Sequence, residues 1–78
     1  SLKDFINETL IKTEDIIKEK GRIQFRELAN LLDLNEVQVK SVVAKLIDED
    51  RIQGTFTEDG KGFVTEDKLK KEIRRNLK

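Results

Sequence analysis

The chain contains no cysteine and no histidine. Disulfides, thiolate or imidazole metal sites, cysteine nucleophiles and any Ser-His-Asp triad are thereby excluded. It also has no methionine, tyrosine or tryptophan, and its aromatic residues are four phenylalanines. Net charge is lacking as well, since 16 Lys and Arg balance 16 Asp and Glu. A dedicated electrostatic nucleic-acid binder is usually strongly basic, so the balance disfavours that class for the chain as a whole. No apolar run nears the roughly 18 residues that span a bilayer. The first residues, Ser1-Leu2-Lys3-Asp4, are charged at once and give no secretory leader pattern. We therefore expect no membrane insertion and an intracellular, cytoplasmic setting, with the nucleus as the alternative. Ser1 in place of Met leads us to expect native residues before it.

What is present points to one small helical domain. Seventy-eight residues leave no room for a second core. Charged residues make up 41% and hydrophobic residues 36%, which suits a heavily solvated helical surface over a small core. No internal repeat, low-complexity stretch or Pro-rich linker divides the chain. We expect an N-terminal helix over 1–20, a core over 21–65 and a basic helix over 66–78.

Leu2, Phe5, Ile6, Leu10, Thr13, Ile16 and Ile17 recur at three- and four-residue steps. They predict one amphipathic helix with these residues inward, ended by Gly21 and with Lys18 and Lys20 in its last turn. Thr13-Glu14-Asp15 offers a second N-terminus that would split it. Arg22-Ile23-Gln24 reads as a minimal strand. Phe25, Leu28, Ala29, Leu31 and Leu32 predict a two-turn helix with that face inward. After Asp33-Leu34, Asn35 and Gln38 stand at capping-box spacing, with Leu34 and Val39 at the staple positions. Val39, Val42, Val43 and Leu46 continue the buried stripe to about Glu49, and Asp50 stands where such helices usually place Gly. Ile52 to Thr57 alternates as a strand, with Ile52, Gly54 and Phe56 on one side. Asp59-Gly60 carries the hairpin signal, Gly62 to Thr65 returns, and Thr65 caps a last helix.

Helix, short strand, short helix, turn, helix and hairpin, from about Gly21 to Thr65, resembles the winged helix-turn-helix superfamily. The fold class expected is therefore mainly α with a small β-hairpin, flanked by a helix at each end. A narrower resemblance rests on Leu46-Ile47-Asp48-Glu49-Asp50-Arg51-Ile52-Gln53-Gly54 and the hairpin that follows to Thr65. This is similar to PCI-type winged helices, above all those of the ufmylation ligase scaffold and its DDRGK adaptor. The resemblance covers roughly residues 14 to 77. Phe56 stands where that pattern has Ile, and Thr57 where it has Asp. The resemblance implies heteromeric assembly or stacking of winged helices and no catalytic residue here.

Two functions follow as expectations. The first is a non-catalytic protein-protein interaction module whose partner is another protein, with another winged helix as one candidate. The second is a DNA-binding winged-helix transcription regulator. Both use Val37, Gln38, Ser41 and Lys45 on the second helix of the turn motif, and the DNA reading adds Lys61 on the wing. The plainer reading of that helix is a solvated face, because Glu36, Asp48, Glu49 and Asp50 outnumber Lys40 and Lys45. Val37 falls two residues before inward Val39 and is expected to point out. Asp48-Glu49-Asp50 crowds a helix C-terminus, and Arg51 and Arg22 are expected to offset it. Residues 65–78 carry net charge +3 against −3 for residues 1–64. Lys70, Lys71, Arg74 and Arg75 form that basic tail. Its Leu69, Ile73 and Leu77 either pack on the domain or mediate a homo-oligomer. With no nucleophile-base pair, phosphate loop or metal-ligand spacing, we expect no enzyme, no cofactor and no metal.

Overall fold

The computed structural model describes residues 1–76. Its elements are α1 (Leu2–Lys20), β1 (Arg22–Gln24), α2 (Phe25–Leu32), α3 (Glu36–Asp48), β2 (Gly54–Phe56), β3 (Gly62–Thr65) and α4 (Glu66–Asn76). The strands make one antiparallel sheet in the order β1-β3-β2. The mainly α class with a small hairpin is therefore the observed one.

Local chemistry sets most boundaries. The Ser1 side chain accepts from the Asp4 N–H at the start of α1, and Gly21, at φ 75°, closes its end by donating to the Ile17 carbonyl at 2.8 Å. Thr13 does not start a second helix. It is buried, and its hydroxyl donates back to the Thr9 carbonyl at 2.6 Å, so α1 runs unbroken. The capping box before α3 forms in both directions. Asn35 Oδ1 accepts from the Gln38 N–H at 2.8 Å, and Gln38 Oε1 accepts from the Asn35 N–H at 3.0 Å. Asp33 and Asp50 take left-handed conformations, φ 55° and 58°, at the ends of α2 and α3. Asp thus fills the place a glycine usually takes.

The second strand is shorter than its alternation predicts. Ile52 is already buried in the core before β2 begins. Gln53 and Thr57 still bond across to the return side, Gln53 O from Glu66 N–H at 2.9 Å and Thr57 N–H to Gly62 O at 3.0 Å. Phe56 reaches the rim of the core, with its ring edge-on to Phe25 and Phe63 at 5.9 and 6.0 Å. Thr65 caps α4 as predicted, its hydroxyl accepting from the Lys68 N–H at 3.2 Å.

The core gathers Leu10, Ile17, Phe25, Leu28, Leu46 and Phe63 with neighbours from α1, β1, α2, α3 and β3. Two expectations about it are corrected. Leu31 is exposed, because Leu28 and Leu32 hold α2 inward and Leu31 lies about 100° round the helix from Leu32. The first turns of the α1 stripe are also uncovered. Leu2, Phe5 and Ile6 remain 75%, 59% and 45% exposed. A 19-residue helix is about 28 Å long, whereas the 13 residues of α3 reach about 20 Å, so α1 outruns what packs on it.

Candidate functional site

The uncovered turns of α1 and the flank of α3 enclose an apolar groove of about 250 Å³. Phe5, Ile6 and Leu10 supply one wall, and Leu34 and Val42 the other. That volume suits one or two apolar side chains and falls below the about 300 to 1,000 Å³ of small-molecule pockets. Gln38, Ser41 and Lys45 also line it, because positions three and four apart share a helix face. The structure thus brings together three of the four α3 residues singled out from sequence. Gln38 is partly committed there, since its amide oxygen completes the capping box.

Val37 is 75% exposed, as its position predicts, but it stands outside the groove. Lys61 also lies apart, on the hairpin. Its backbone links the elements, the N–H donating to Asp59 Oδ1 at 2.9 Å and the carbonyl accepting from the Phe25 N–H at 2.8 Å. Sequence reasoning missed Phe5 and Ile6 as site residues by assigning the whole stripe to the core. The signal was the length of that stripe beside the shorter helices after it.

Charges at the C-terminal end of α3 form a ladder that begins on the groove wall. Lys45 Nζ lies 3.3 Å from Glu49, Glu49 lies 3.3 Å from Arg51, and Arg51 Nε lies 2.7 Å from Glu14. Lys18 closes the far end on Glu14 at 2.8 Å. Arg51 therefore offsets the acidic helix end as expected. Arg22 does not; it reaches across to Glu72 on α4 at 2.7 Å, because β1 pairs Arg22 with Val64 at the end of β3 that runs directly into that helix.

The ladder shifts the titration of its acids. Glu14 is held below the ordinary glutamate range chiefly by the hydrogen bond from Lys18 and then that from Arg51. Glu49 is held low chiefly by Lys45 and then Arg51. A carboxyl with a depressed folded pKa favours the fold above its unfolded pKa and loses that contribution as pH falls through the folded value. Stability is therefore expected to decline on acidification below the ordinary glutamate range. Arg51→Gln is expected to flatten that acid limb in urea titrations from about pH 7 to pH 3. An identical limb in the variant would show that this cluster does not carry the linkage.

On α4, Lys70 pairs with Glu66 at 3.0 Å, while Lys71, Arg74 and Arg75 make no ion pair among the described residues. Leu69 and Ile73 are both exposed, at 36% and 52%, and no side chain of the described part of α4 is fully buried. Leu77, the third residue of that seam, lies outside the described residues. Among the described residues, no helix is long and apolar enough to cross a membrane, and no cluster of three acidic side chains is placed to hold a metal ion.

The short helix, turn, capped helix and hairpin packed on β1 define a winged-helix-like domain with α1 and α4 added at its ends. A family model described as E3 UFM1-protein ligase 1 matches residues 31–78, more than half of the chain. The chain belongs to that E3 UFM1-protein ligase family. The matched stretch runs from the end of α2 through α4 and leaves α1, one wall of the groove, outside it. Comparison with curated proteins and with solved structures gives no match.

Proposed function

We propose that these residues serve as a non-catalytic protein-interaction module in a larger ufmylation assembly. The observation that carries this reading is the apolar groove between α1 and α3, whose wall includes exposed Phe5 and Ile6 beside Gln38, Ser41 and Lys45. Apolar side chains grouped in this way on a small domain are characteristic of partner surfaces. The family is named for a ligase, but these residues hold no cysteine to accept UFM1 as a thioester and no histidine to act as a base near neutral pH. Their part is to hold another protein in place. Lys70, Lys71, Arg74 and Arg75 on α4 form a second, basic contact surface, and any self-association through Leu69, Ile73 and Leu77 would use the same helix.

Competition tests this reading. The chain added in excess to UFM1 conjugation by the intact ligase is expected to inhibit, by occupying the partner. Phe5→Asp with Ile6→Asp is expected to abolish inhibition while leaving the circular dichroism of the fold unchanged. A chain that itself accelerates UFM1 transfer would overturn the non-catalytic reading. Binding to random duplex DNA that collapses between about 50 and 200 mM salt would favour a DNA reader instead.

A further inference from the structure

We infer that the Thr57 hydroxyl guards the Asp59-Gly60 step at the wing tip against conversion to isoaspartate. The inference is separate from the docking reading and stands on the hairpin alone. Asp59-Gly60 is the one Asp-Gly step in the chain, which has no Asn-Gly step.

The reaction is intramolecular. Once the Asp59 carboxyl is protonated, the Gly60 backbone nitrogen attacks its Cγ. The new N–C bond closes a succinimide ring, and the carboxyl hydroxyl leaves as water with the amide proton. Water then opens the ring at either carbonyl. Opening at the former main-chain carbonyl leaves the chain running through Cβ and Cγ, one backbone atom longer. A following glycine favours the attack because it has no Cβ to obstruct it. Nothing lies within 4 Å of where a Cβ on Gly60 would stand, and both residues are exposed. Sequence and access therefore favour the reaction here.

The hydrogen bonds of the wing tip oppose it at both reacting atoms. Asp59 Oδ1 accepts from Thr57 Oγ1 at 2.6 Å and from the Lys61 N–H at 2.9 Å. The Thr57 hydroxyl first, and then the Lys61 amide, hold that carboxyl below the ordinary aspartate range. It stays ionised, and a carboxylate has no hydroxyl to lose. The nucleophile is held as well, since the Gly60 N–H donates to the Thr57 carbonyl at 2.9 Å. The Thr57 hydroxyl is itself fixed by accepting from the Gly62 N–H at 3.1 Å. One residue thus restrains the electrophile through its side chain and the nucleophile through its backbone.

The modification would act beyond the tip. The Lys61 carbonyl accepts from the Phe25 N–H at 2.8 Å, at the first residue of α2, and Gly62 opens β3. An extra backbone atom between Asp59 and Gly60 displaces both, so ageing at this one step loosens the hairpin from α2.

The test is the rate at which the whole 78-residue chain gains isoaspartate near neutral pH. It is read by methyl transfer from S-adenosylmethionine with an isoaspartate methyltransferase, and the site is located by peptide mapping. The folded chain is expected to react at least about tenfold more slowly than the same chain unfolded in guanidinium, the least that a hydrogen bond to a charged group contributes. Thr57→Val keeps nearly the same shape without the hydroxyl and is expected to raise the folded rate about tenfold. Thr57→Ser keeps the hydroxyl and should stay close to the original rate. Phe56→Ala, which removes packing one residue away and no hydrogen bond to Asp59, controls for general loosening of the hairpin. A Thr57→Val rate equal to the original, or a Phe56→Ala rate raised as far as that of Thr57→Val, overturns the inference. Where Thr57→Val loses the circular dichroism of the fold, Thr57→Ser is set against the unfolded chain, and equal rates there overturn it.

Discussion

Phe63→Ala is expected to lower the unfolding free energy by about 3 to 5 kcal/mol. Phe63 is fully buried on the central strand, opposite Ile23 on one side and Phe56 on the other. Truncation removes a large side chain from the point where both strand pairings meet the helices, and the surroundings collapse only partly around the void. A domain of this length has a total stability of about 4 to 12 kcal/mol, so the change removes a large share of it. At about 4 to 8 °C per kcal/mol, the melting temperature should fall by at least about 12 °C. Urea denaturation followed by circular dichroism measures the loss. Phe56→Ala is the internal comparison. Its ring touches Phe63 and Phe25 but stays 51% exposed, so its cost should be less than half as large. Equal costs for the two would contradict the placement of Phe63 at the centre of the core.

Gly54→Ala is expected to destabilise by about 2 to 3 kcal/mol, while Gly60→Ala costs about 1 kcal/mol. The contrast inverts what the sequence suggests, since Gly60 carries the hairpin signal and Gly54 looks like an ordinary strand position. A Cβ on Gly54 would stand 2.2 Å from the Val64 carbonyl oxygen and 2.8 Å from the Phe63 ring. The oxygen belongs to the paired backbone, so β2 must move off β3 to admit a methyl group. Gly60 has nothing within 4 Å of such a Cβ, and only its left-handed φ of 72° resists substitution. Thermal melts of the two variants side by side check the order. A Gly60→Ala chain less stable than Gly54→Ala would mean that β2 and β3 do not approach as closely as described.

These two glycines mark a boundary between what was legible and what was not. The capping box at Asn35 and Gln38, the Thr65 cap and the left-handed Asp50 were readable because each depends on neighbours within four residues. The hairpin turn was readable for the same reason. The close approach at Gly54 depends on Phe63 and Val64 across the sheet, and no local pattern encodes it. The candidate site divides in the same way. Gln38, Ser41 and Lys45 could be found as the outward face of a periodic helix. Phe5 and Ile6 carry the same periodicity as Leu10 and Ile17, and nothing in their spacing separates the two pairs.

By itself the sequence determined the order of elements, their caps, the winged-helix-like class and, through the hairpin motif, the resemblance to ufmylation ligases that the family match then established. It also determined which chemistries are closed to these residues, because absent cysteine and histidine need no structure to interpret. Tertiary structure alone decided how far along α1 the core extends, that Arg22 serves Glu72 while Arg51 serves Glu14 and Glu49, and where an apolar groove remains open. Periodicity records that a face is apolar, whereas burial depends on the lengths and crossing of the helices laid against it.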